Sequence, residues 1–477
     1  MKTLELSIVL AYLAACIGIG YWVQKKAKQS KDEYWIAGRQ IGTFANSWAM
    51  MAALASGGSV LGVTALGYTY GVPYVFSMYA GAVVGFPLAS LLIAKQLRNL
   101  KHVTVTDFFT FRYRSPILEW LVPILIVVAL GTYIVAQMKA AAVTAQFLLG
   151  IPYNTALVIT AVVFIAYVSI GGMWAVTITD IVQGILVVFM VLTLAVIAMS
   201  SFGGPANLIA QATTVRPQLG NVASLPLISY IGAYVVWAGG AMVLPHLVMR
   251  IFTSRDARSA KQSLNYSMLI YATFIVMAVL GISTAGHLVF PNLKDADSLF
   301  LVMTGNYLPR FFAGLAVAAV MAAVMSTTDG LLLACASAVA HDIYEKKINP
   351  KASDRTVINI GTVTTWVIGL LAMFFAFKPP KLLTMLYTAA VGLLVSSFLF
   401  PIVLGIWWKR ASTAGATASV IVGAVSYLYL LWFTKMPSLS HILISLPLSL
   451  LALVVVSLMT PPPSSEVIAA LDEAHRQ

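Results

Sequence analysis

The stretch Ala55-Ser56-Gly57-Gly58-Ser59 interrupts an apolar run that extends from residue 41 to residue 70. About 20 apolar residues are enough for one helix to cross a bilayer. A longer run with two adjacent glycines near its middle therefore predicts a membrane helix that is broken halfway. Backbone groups freed at such a break need partners, because the bilayer core offers no water.

The composition of the whole chain agrees with a membrane environment. Of 477 residues, 60% are hydrophobic and only 9% are charged, with a mean hydropathy of +0.90. Soluble domains carry about 25% charged residues, so this composition excludes a soluble enzyme, a disordered regulator and a nucleic-acid-binding protein. The net charge of +13 is spread along short connectors, which indicates a lipid bilayer as partner and no nucleic acid.

The two cysteines and the six histidines show no pattern typical of a metal centre or a catalytic site. Cys16 and Cys335 both lie in apolar runs and form neither a disulfide framework nor a metal-binding spacing. No nucleophile–base pair stands out either. We therefore predict that the protein is not an enzyme and that it uses no cofactor.

Apolar runs between charged or Pro/Gly-rich breaks predict about thirteen transmembrane helices. The fold class is thus an all-α polytopic membrane protein. The predicted spans are 6–23, 41–70, 73–95, 116–148, 154–171, 175–200, 226–247, 264–290, 308–341, 356–377, 381–407, 412–434 and 438–459.

The basic residues predict the orientation of these spans. With the N-terminus outside, the cytoplasmic connectors hold 21 lysines and arginines and the outer connectors hold 7, among them Lys378 and Lys381. The first span is not a cleaved signal peptide, because its basic cluster at 25–31 follows the apolar run. We predict a multi-pass protein of the cell membrane with an outer N-terminus and a cytoplasmic C-terminus.

A second interruption lies at a corresponding place later in the chain. The run 226–247 contains Trp237-Ala238-Gly239-Gly240 and is closed by Pro245-His246. Paired interruptions in two halves are typical of inverted-repeat secondary transporters. The predicted organisation is an N-terminal helix and connector (1–40), a first repeat (41–200), an outer connector (201–225), a second repeat (226–407) and two C-terminal helices with a tail (408–477).

The ninth span carries the pattern of an ion site. Ala323, Ser326 and Thr327 are spaced i, i+3, i+4 and share one helix face. Hard cations take oxygen ligands, and two hydroxyls with one backbone carbonyl would supply three. The carbonyls of Ala55 and Gly58 at the first break would complete a sodium site.

Several motifs, in order along the chain, resemble those of the sodium:solute symporter family. They are Tyr34-Trp35-Ile36-Ala37-Gly38-Arg39, Ile170-Gly171-Gly172-Met173 with Thr179-Asp180, Leu244 to Thr253, Met325-Ser326-Thr327 and His341-Asp342-Ile343-Tyr344. The resemblance implies a LeuT-like core of five plus five helices. It also implies a sodium site at Ala55, Gly58, Ala323, Ser326 and Thr327.

Two branches of that family share features with this chain. Residues 59–66, 135–138 and 336–342 resemble the acetate and monocarboxylate permeases. Gly150-Ile151-Pro152-Tyr153, Lys378-Pro379-Pro380 and the Ser-Thr pair resemble the pantothenate symporters. Both branches carry small carboxylates, which the resemblance therefore implies as the substrate class.

Candidate substrate residues lie at the two breaks and on the fourth span. Tyr133 and Gln137 share a face at i, i+4, and Ser59 and Trp237 lie in the interrupted stretches. Lys139 is turned away from Gln137. Because a lysine near mid-membrane is costly, it is either the counter-charge of a substrate carboxylate or the partner of a protein carboxylate.

Two further acidic residues fall inside predicted spans. Asp180 and Asp329 are costly in a membrane unless they are paired or ion-bound. In some family members an aspartate at the position of Asp180 contributes to a second sodium site. We therefore interpret the two residues as a possible second cation site, and their titration leaves proton coupling open.

The combined prediction is a sodium-coupled symporter of a small organic anion, of the acetate, propionate, pyruvate or lactate type, that works by alternating access. A sodium/pantothenate symporter and a proton-coupled carboxylate carrier are the alternative transport functions. A transporter-like sensor module is the non-transport alternative.

Overall fold

The structure is a computed structural model that describes residues 2–220, 224–379 and 383–476. Several features of the sequence analysis fall partly or wholly outside these ranges, including the first residues of the predicted span 381–407 and the terminal residues of the segments 1–40 and 408–477. The others are Pro380 of the Lys378-Pro379-Pro380 motif, Lys381 among the outer basic residues, and residues 221–223 of the 201–225 connector.

Within the described ranges the chain folds into helices, with one isolated β-bridge between Ile41 and Ser254. Short 3-10 turns cover Ala37–Arg39, Pro217–Gly220 and Ala296–Ser298, and π-helical turns cover Gly58–Gly62, Ala278–Ser283 and Ala338–Ile348. The α-helices are α1 (Lys2–Ala27), α2 (Lys31–Ile36), α3 (Thr43–Leu54), α4 (Val63–Tyr70), α5 (Val72–Leu92), α6 (Ala94–Asn99), α7 (Val105–Tyr113), α8 (Leu118–Leu149), α9 (Tyr153–Ser201), α10 (Pro205–Val215), α11 (Leu227–Val243), α12 (Pro245–Thr253), α13 (Ala257–Met277), α14 (Thr284–Val289), α15 (Leu299–Tyr307), α16 (Arg310–Ser337), α17 (Asp354–Phe375), α18 (Leu383–Trp407), α19 (Thr413–Phe433), α20 (Ile442–Met459) and α21 (Ser465–Arg476).

The predicted fold class, a polytopic all-α membrane protein, is confirmed. Eleven helical stretches of the described residues are long and apolar enough to cross a membrane, and the bent pair α3/α4 makes a twelfth. The predicted span 154–171 corresponds to a shorter apolar helix, Tyr153–Ala166, at the start of α9. The boundaries of the two repeats stay predictions.

The helices are arranged around α16. The most apolar window of the stretch Arg310–Ile348 is 83% buried, whereas that of Thr3–Ala27 is 22% buried. α16 packs against α3, α8 and α9. Its small residues permit this, since alanine and glycine allow close approach between membrane helices.

The first break lies where the glycine pair predicts it. α3 ends at Leu54, and the chain resumes as a helix at Gly58 after a bend of 63°. Gly57 and Gly58 are essential to the packing here. A Cβ atom on Gly57 would lie 2.6 Å from Val324, and one on Gly58 would lie 2.2 Å from the ring of Tyr387.

The second break lies at a different residue from the one predicted. Trp237-Ala238-Gly239-Gly240 is continuous helix within α11, and the interruption is at Leu244, where φ is −65° and ψ is 113°. Pro245 causes it, because a proline forces the preceding residue out of the helical region. Gly239 instead serves helix packing, since a Cβ there would lie 2.5 Å from Val395 on α18.

Connectors that are predicted to lie on one side of the membrane do share one end of the structure. Arg39 donates to the carbonyls of Lys101 (2.5 Å) and His102 (2.9 Å). The guanidinium of Arg98 contacts the carbonyl of Ser254, and Lys346 contacts Asp107. We call this end the basic face; it comprises the connectors 28–42, 93–117, 254–256, 338–353 and 408–412.

A kink in α9 brings two of the family-like motifs into contact. Gly172 has a positive φ of 54°, and a Cβ atom there would lie 2.7 Å from Tyr34. Only glycine adopts this conformation without strain and leaves room for the tyrosine. Gly172 therefore allows the connector helix α2 to pack closely against α9.

Candidate functional site

The first break and the middle of α16 form the centre of the site. Ser326 donates a hydrogen bond to the carbonyl of Ala52 at 2.9 Å, and Thr327 donates one to the carbonyl of Ala53 at 3.0 Å. Both hydroxyls are fully buried. The adjacent hydroxyls of Ser326 and Thr327 on α16 are therefore both directed at the carbonyl end of α3.

The end of α3 attracts these hydroxyls because its last carbonyls have lost their helical donors. In an uninterrupted helix, the amides of Ser56 and Gly57 would donate to Ala52 and Ala53. The Ser56 amide instead donates to the carbonyl of Leu54 at 2.8 Å, and the Gly57 amide donates to the side-chain oxygen of Gln137 at 3.1 Å. The hydroxyls of α16 replace the missing donors.

The five predicted sodium residues are all buried around this junction. Ala323 accepts a second hydrogen bond from Ser326 at 3.2 Å. Ala55 is the first residue after α3, and the carbonyl of Gly58 accepts from the amide of Val63. The structure thus brings the two hydroxyls against the carbonyls of Ala52, Ala53 and Ala323. Oxygen atoms are the ligands that a hard cation requires.

An aromatic cluster borders the break on the side of α18. We define it as Tyr79, Tyr133, Trp237, Tyr271 and Tyr387, all of which are buried. The ring of Tyr387 stacks on that of Tyr133 at 5.0 Å and meets that of Trp237 edge-on at 5.9 Å. Its hydroxyl lies 3.0 Å from that of Tyr79. Tyr387 therefore joins α5, α8, α11 and α18.

Sequence reasoning did not identify Tyr387, Tyr79 or Tyr271. These tyrosines lie in apolar runs without a neighbouring polar pattern, so no local signal distinguishes them from packing residues. Only their tertiary contacts distinguish these tyrosines from packing residues. The hydroxyl of Tyr271 lies 2.9 Å from that of Ser59, which connects a predicted substrate residue to α13.

Two buried N–H donors at this site have no hydrogen-bond partner within the described part of the chain. They are the side-chain amide nitrogen of Gln137 and the indole nitrogen of Trp237. The oxygen of Gln137 already accepts from Gly57, so its nitrogen is directed elsewhere. Buried polar groups are nearly always paired, and two unpaired donors near one break indicate a site for an acceptor-rich group.

Lys139 has a protein carboxylate as partner. Its ammonium lies 2.8 Å from Asp297, whose side chain is fully buried. Asp297 belongs to the 3-10 turn Ala296–Ser298, which packs against α4. Burial raises the pKa of Asp297, and the nearby Lys139 ammonium opposes that rise. Of the two sequence interpretations of Lys139, the structure favours pairing.

Asp180 also has a cationic partner. Its carboxylate contacts the guanidinium of Arg250, and both side chains are almost completely buried. Arg250 further donates to the hydroxyl of Thr177 at 2.8 Å. Asp329 is fully buried on α16, within electrostatic range of Arg250. A protein guanidinium therefore already lies at the predicted second cation site.

We expect the double variant Lys139→Met/Asp297→Asn to unfold at a temperature close to that of the wild type. Each single variant leaves one buried group unpaired, which costs about 3–5 kcal/mol. Thermal unfolding in detergent and the substrate KM of the double variant are the measurements. A double variant that is stable but has lost substrate affinity would restore the counter-charge role of Lys139.

Asp180→Asn should destabilise the protein by about 3–5 kcal/mol, because it leaves a buried guanidinium without its counter-ion. Adding Arg250→Met should recover much of the loss. Asp472→Asn, which breaks a pair at the protein surface with Lys409, is the matched control and should leave the stability nearly unchanged, because solvent screens exposed ion pairs. If Asp180→Asn unfolds like the wild type but loses cation dependence, Asp180 is a cation ligand.

Comparison with known proteins identifies the family. The sodium:solute symporter family matches residues 34–423. The fold is similar to that of a Na⁺-coupled sialic acid symporter in a substrate-bound outward-open state, with a TM-score of 0.81, 19% identity and coverage of 97% of this chain and 99% of that one.

Two structures of the LeuT fold are also similar. One is Mhp1, a nucleobase-cation-symport-1 family transporter, with a TM-score of 0.57, 13% identity and coverage of 92% of this chain and 97% of that one. The other is MhsT in complex with L-phenylalanine, with a TM-score of 0.54, 14% identity and coverage of 88% and 99%. These likenesses confirm the LeuT-like inverted-repeat fold. With the family matched over most of its length, the chain belongs to the sodium:solute symporter family, and its class of activity is sodium-coupled symport of a solute across a membrane.

Proposed function

We propose that this symporter carries a small monocarboxylate, of the acetate, propionate, pyruvate or lactate type, together with sodium by alternating access. The observation that carries the proposal is the pair of N–H donors of Gln137 and Trp237 beside the first break, which have no hydrogen-bond partner in the described part of the chain. A carboxylate is acceptor-only and takes hydrogen bonds at both oxygens. Two donors that face no acceptor suit such a group.

The tight packing of the break supports a small substrate. Gly57 and Gly58 have no room even for a Cβ atom, because Val324 and the ring of Tyr387 fill that space. The stacked rings of Tyr133 and Tyr387 would contact the apolar end of a short acid. A longer solute such as pantothenate would require the aromatic cluster to separate further.

We assign the sodium ligands to the carbonyls of Ala55, Gly58 and Ala323 and the hydroxyls of Ser326 and Thr327. The hydroxyls already lie against the end of α3. When sodium is bound, their oxygen lone pairs would face the ion. Sodium would then hold α16 to the broken helix, and the same break would bind the carboxylate.

We place the protein in the cell membrane with the basic face in the cytoplasm. The positive-inside rule supports this orientation, and the basic connectors contact one another at one end of the structure. With the basic face inside, the N-terminus lies outside.

The variant Ser326→Ala/Thr327→Ala should raise the sodium concentration for half-maximal uptake by about tenfold or more, equivalent to at least about 1.4 kcal/mol of lost binding energy. Thr328→Ala is the matched control, because that hydroxyl donates to its own helix at Val324. Uptake into proteoliposomes at graded sodium concentrations is the measurement. An unchanged sodium dependence of the double variant would refute the site assignment.

Trp237→Phe should raise the KM for the preferred carboxylate about tenfold, since a hydrogen bond to a charged group contributes about 1.5–3 kcal/mol. Uptake of radiolabelled acetate, propionate, pyruvate, lactate and pantothenate, with and without sodium, identifies that substrate. Trp35→Phe is the control, because the Trp35 indole is also buried without a hydrogen-bond partner among the described residues but lies in α2 on the basic face. A pantothenate preference, or an equal effect of both variants, would contradict the proposal.

A further inference from the structure

A second polar cluster lies at the basic face, away from the helix break. The helix α16 continues as the π-helical segment Ala338–Ile348, and this segment meets the start of α7. Three side chains converge there: Asp107 of α7, and His341 and Asp342 of the π-helical segment. We call them the Asp–His–Asp cluster.

The three side chains are close enough to share one ion. Each offers one ligand atom, and these atoms lie within 4.8 Å of one another. The exposed fractions of Asp107, His341 and Asp342 are 7%, 7% and 1%. The cluster is therefore buried, unlike the acidic groups common on protein surfaces.

The imidazole of His341 is oriented like that of a metal ligand. Its Nδ1 lies 2.7 Å from a carboxylate oxygen of Glu345. Its Nε2 has a long ion-pair contact of 3.5 Å with the Asp107 oxygen that caps α7, and it makes no shorter hydrogen bond within the described ranges. A histidine that binds a metal through one nitrogen almost always donates from the other to a carboxylate or carbonyl.

Asp342 supplies a second unsatisfied atom. One of its oxygens accepts from the hydroxyl of Thr104 at 2.7 Å. The other is buried and makes no hydrogen bond of normal geometry among the described residues, with the hydroxyl of Thr106 as its polar neighbour. A buried carboxylate oxygen without a partner is costly, and a cation between Asp342 and His341 would satisfy both atoms.

Asp107 lies on the opposite side of the cluster, and both of its carboxylate oxygens have partners. One of its oxygens caps α7 by accepting from the amides of Val103 (2.8 Å) and Thr104 (3.2 Å). The other contacts the ammonium of Lys346, whose side chain is 32% exposed. Lys346 can therefore leave for solvent and free a carboxylate oxygen.

We propose that the Asp–His–Asp cluster is a binding site for a divalent transition-metal ion, with Zn²⁺ as the best fit. One imidazole and two carboxylates are typical zinc ligands, whereas Mg²⁺ and Ca²⁺ prefer oxygen ligands alone. Lys346 is the competing cation at Asp107. The ion would tie α7 to the end of α16 and so join two elements of the basic face.

Binding to the purified full-length protein tests the site without reference to transport. The protein is stripped with EDTA, titrated calorimetrically with ZnCl₂, and analysed for bound zinc after gel filtration. We expect one zinc ion per chain and no competition from MgCl₂ or CaCl₂. Failure of the wild-type protein to bind one equivalent would overturn the proposal, and so would equal binding of Mg²⁺.

Variants locate the ion within the protein. His341→Gln and Asp342→Asn should each lower the zinc affinity at least tenfold, whereas His475→Gln, in the helix α21 that packs against α6, should not. Lys346→Gln should raise the affinity, because it removes the competing cation. Unchanged binding in His341→Gln, or a weaker affinity in Lys346→Gln, would show that zinc binds elsewhere and that the cluster is held by protonated His341.

Discussion

The backbone groups exposed by the break between α3 and α4 are the constraint on which the site depends. A bilayer core supplies no water to these groups, so the protein must pair them itself. Ser326 and Thr327 satisfy two carbonyls, and Gln137 satisfies one amide. The break is therefore stable only while α8 and α16 remain beside it. A movement of either helix away from the break would leave these backbone groups without partners.

The same requirement governs the buried charges. Lys139 pairs with Asp297, and Arg250 pairs with Asp180. A charge in the membrane interior is expensive unless a partner is present, so each pair fixes two distant segments relative to each other. The Lys139 pair joins α8 to a connector beside α4, and the Arg250 pair joins α12 to α9. The second broken helix is thereby tied to α9 by electrostatics, whereas the Lys139 pair fixes the turn that packs against α4.

The two broken helices, α3/α4 and α11/α12, are joined to each other next to the basic face. The amide of Ile41 donates to the carbonyl of Thr253 at 3.1 Å, and the side-chain amide of Asn46 donates to the carbonyl of Arg250 at 2.8 Å. These bonds link the start of α3 to α12. Alternating access moves helices relative to one another, and the contacts of this face must rearrange when the site opens on that side.

The sequence by itself determined the membrane class, nearly all spans, the first break and the hydroxyl pair facing it. These follow from local chemistry: the length of the apolar runs, the conformational freedom of the glycine backbone, and the i, i+3, i+4 spacing of residues on one helix face. The interruption at Leu244 also has a local cause, because Pro245 imposes it. The sequence analysis placed this interruption wrongly, at the glycines of α11. Only the tertiary structure revealed Asp297 as the partner of Lys139 and Tyr387 as the centre of the aromatic cluster. Such contacts join residues far apart in the chain, and they depend on how whole helices pack, which no local pattern encodes.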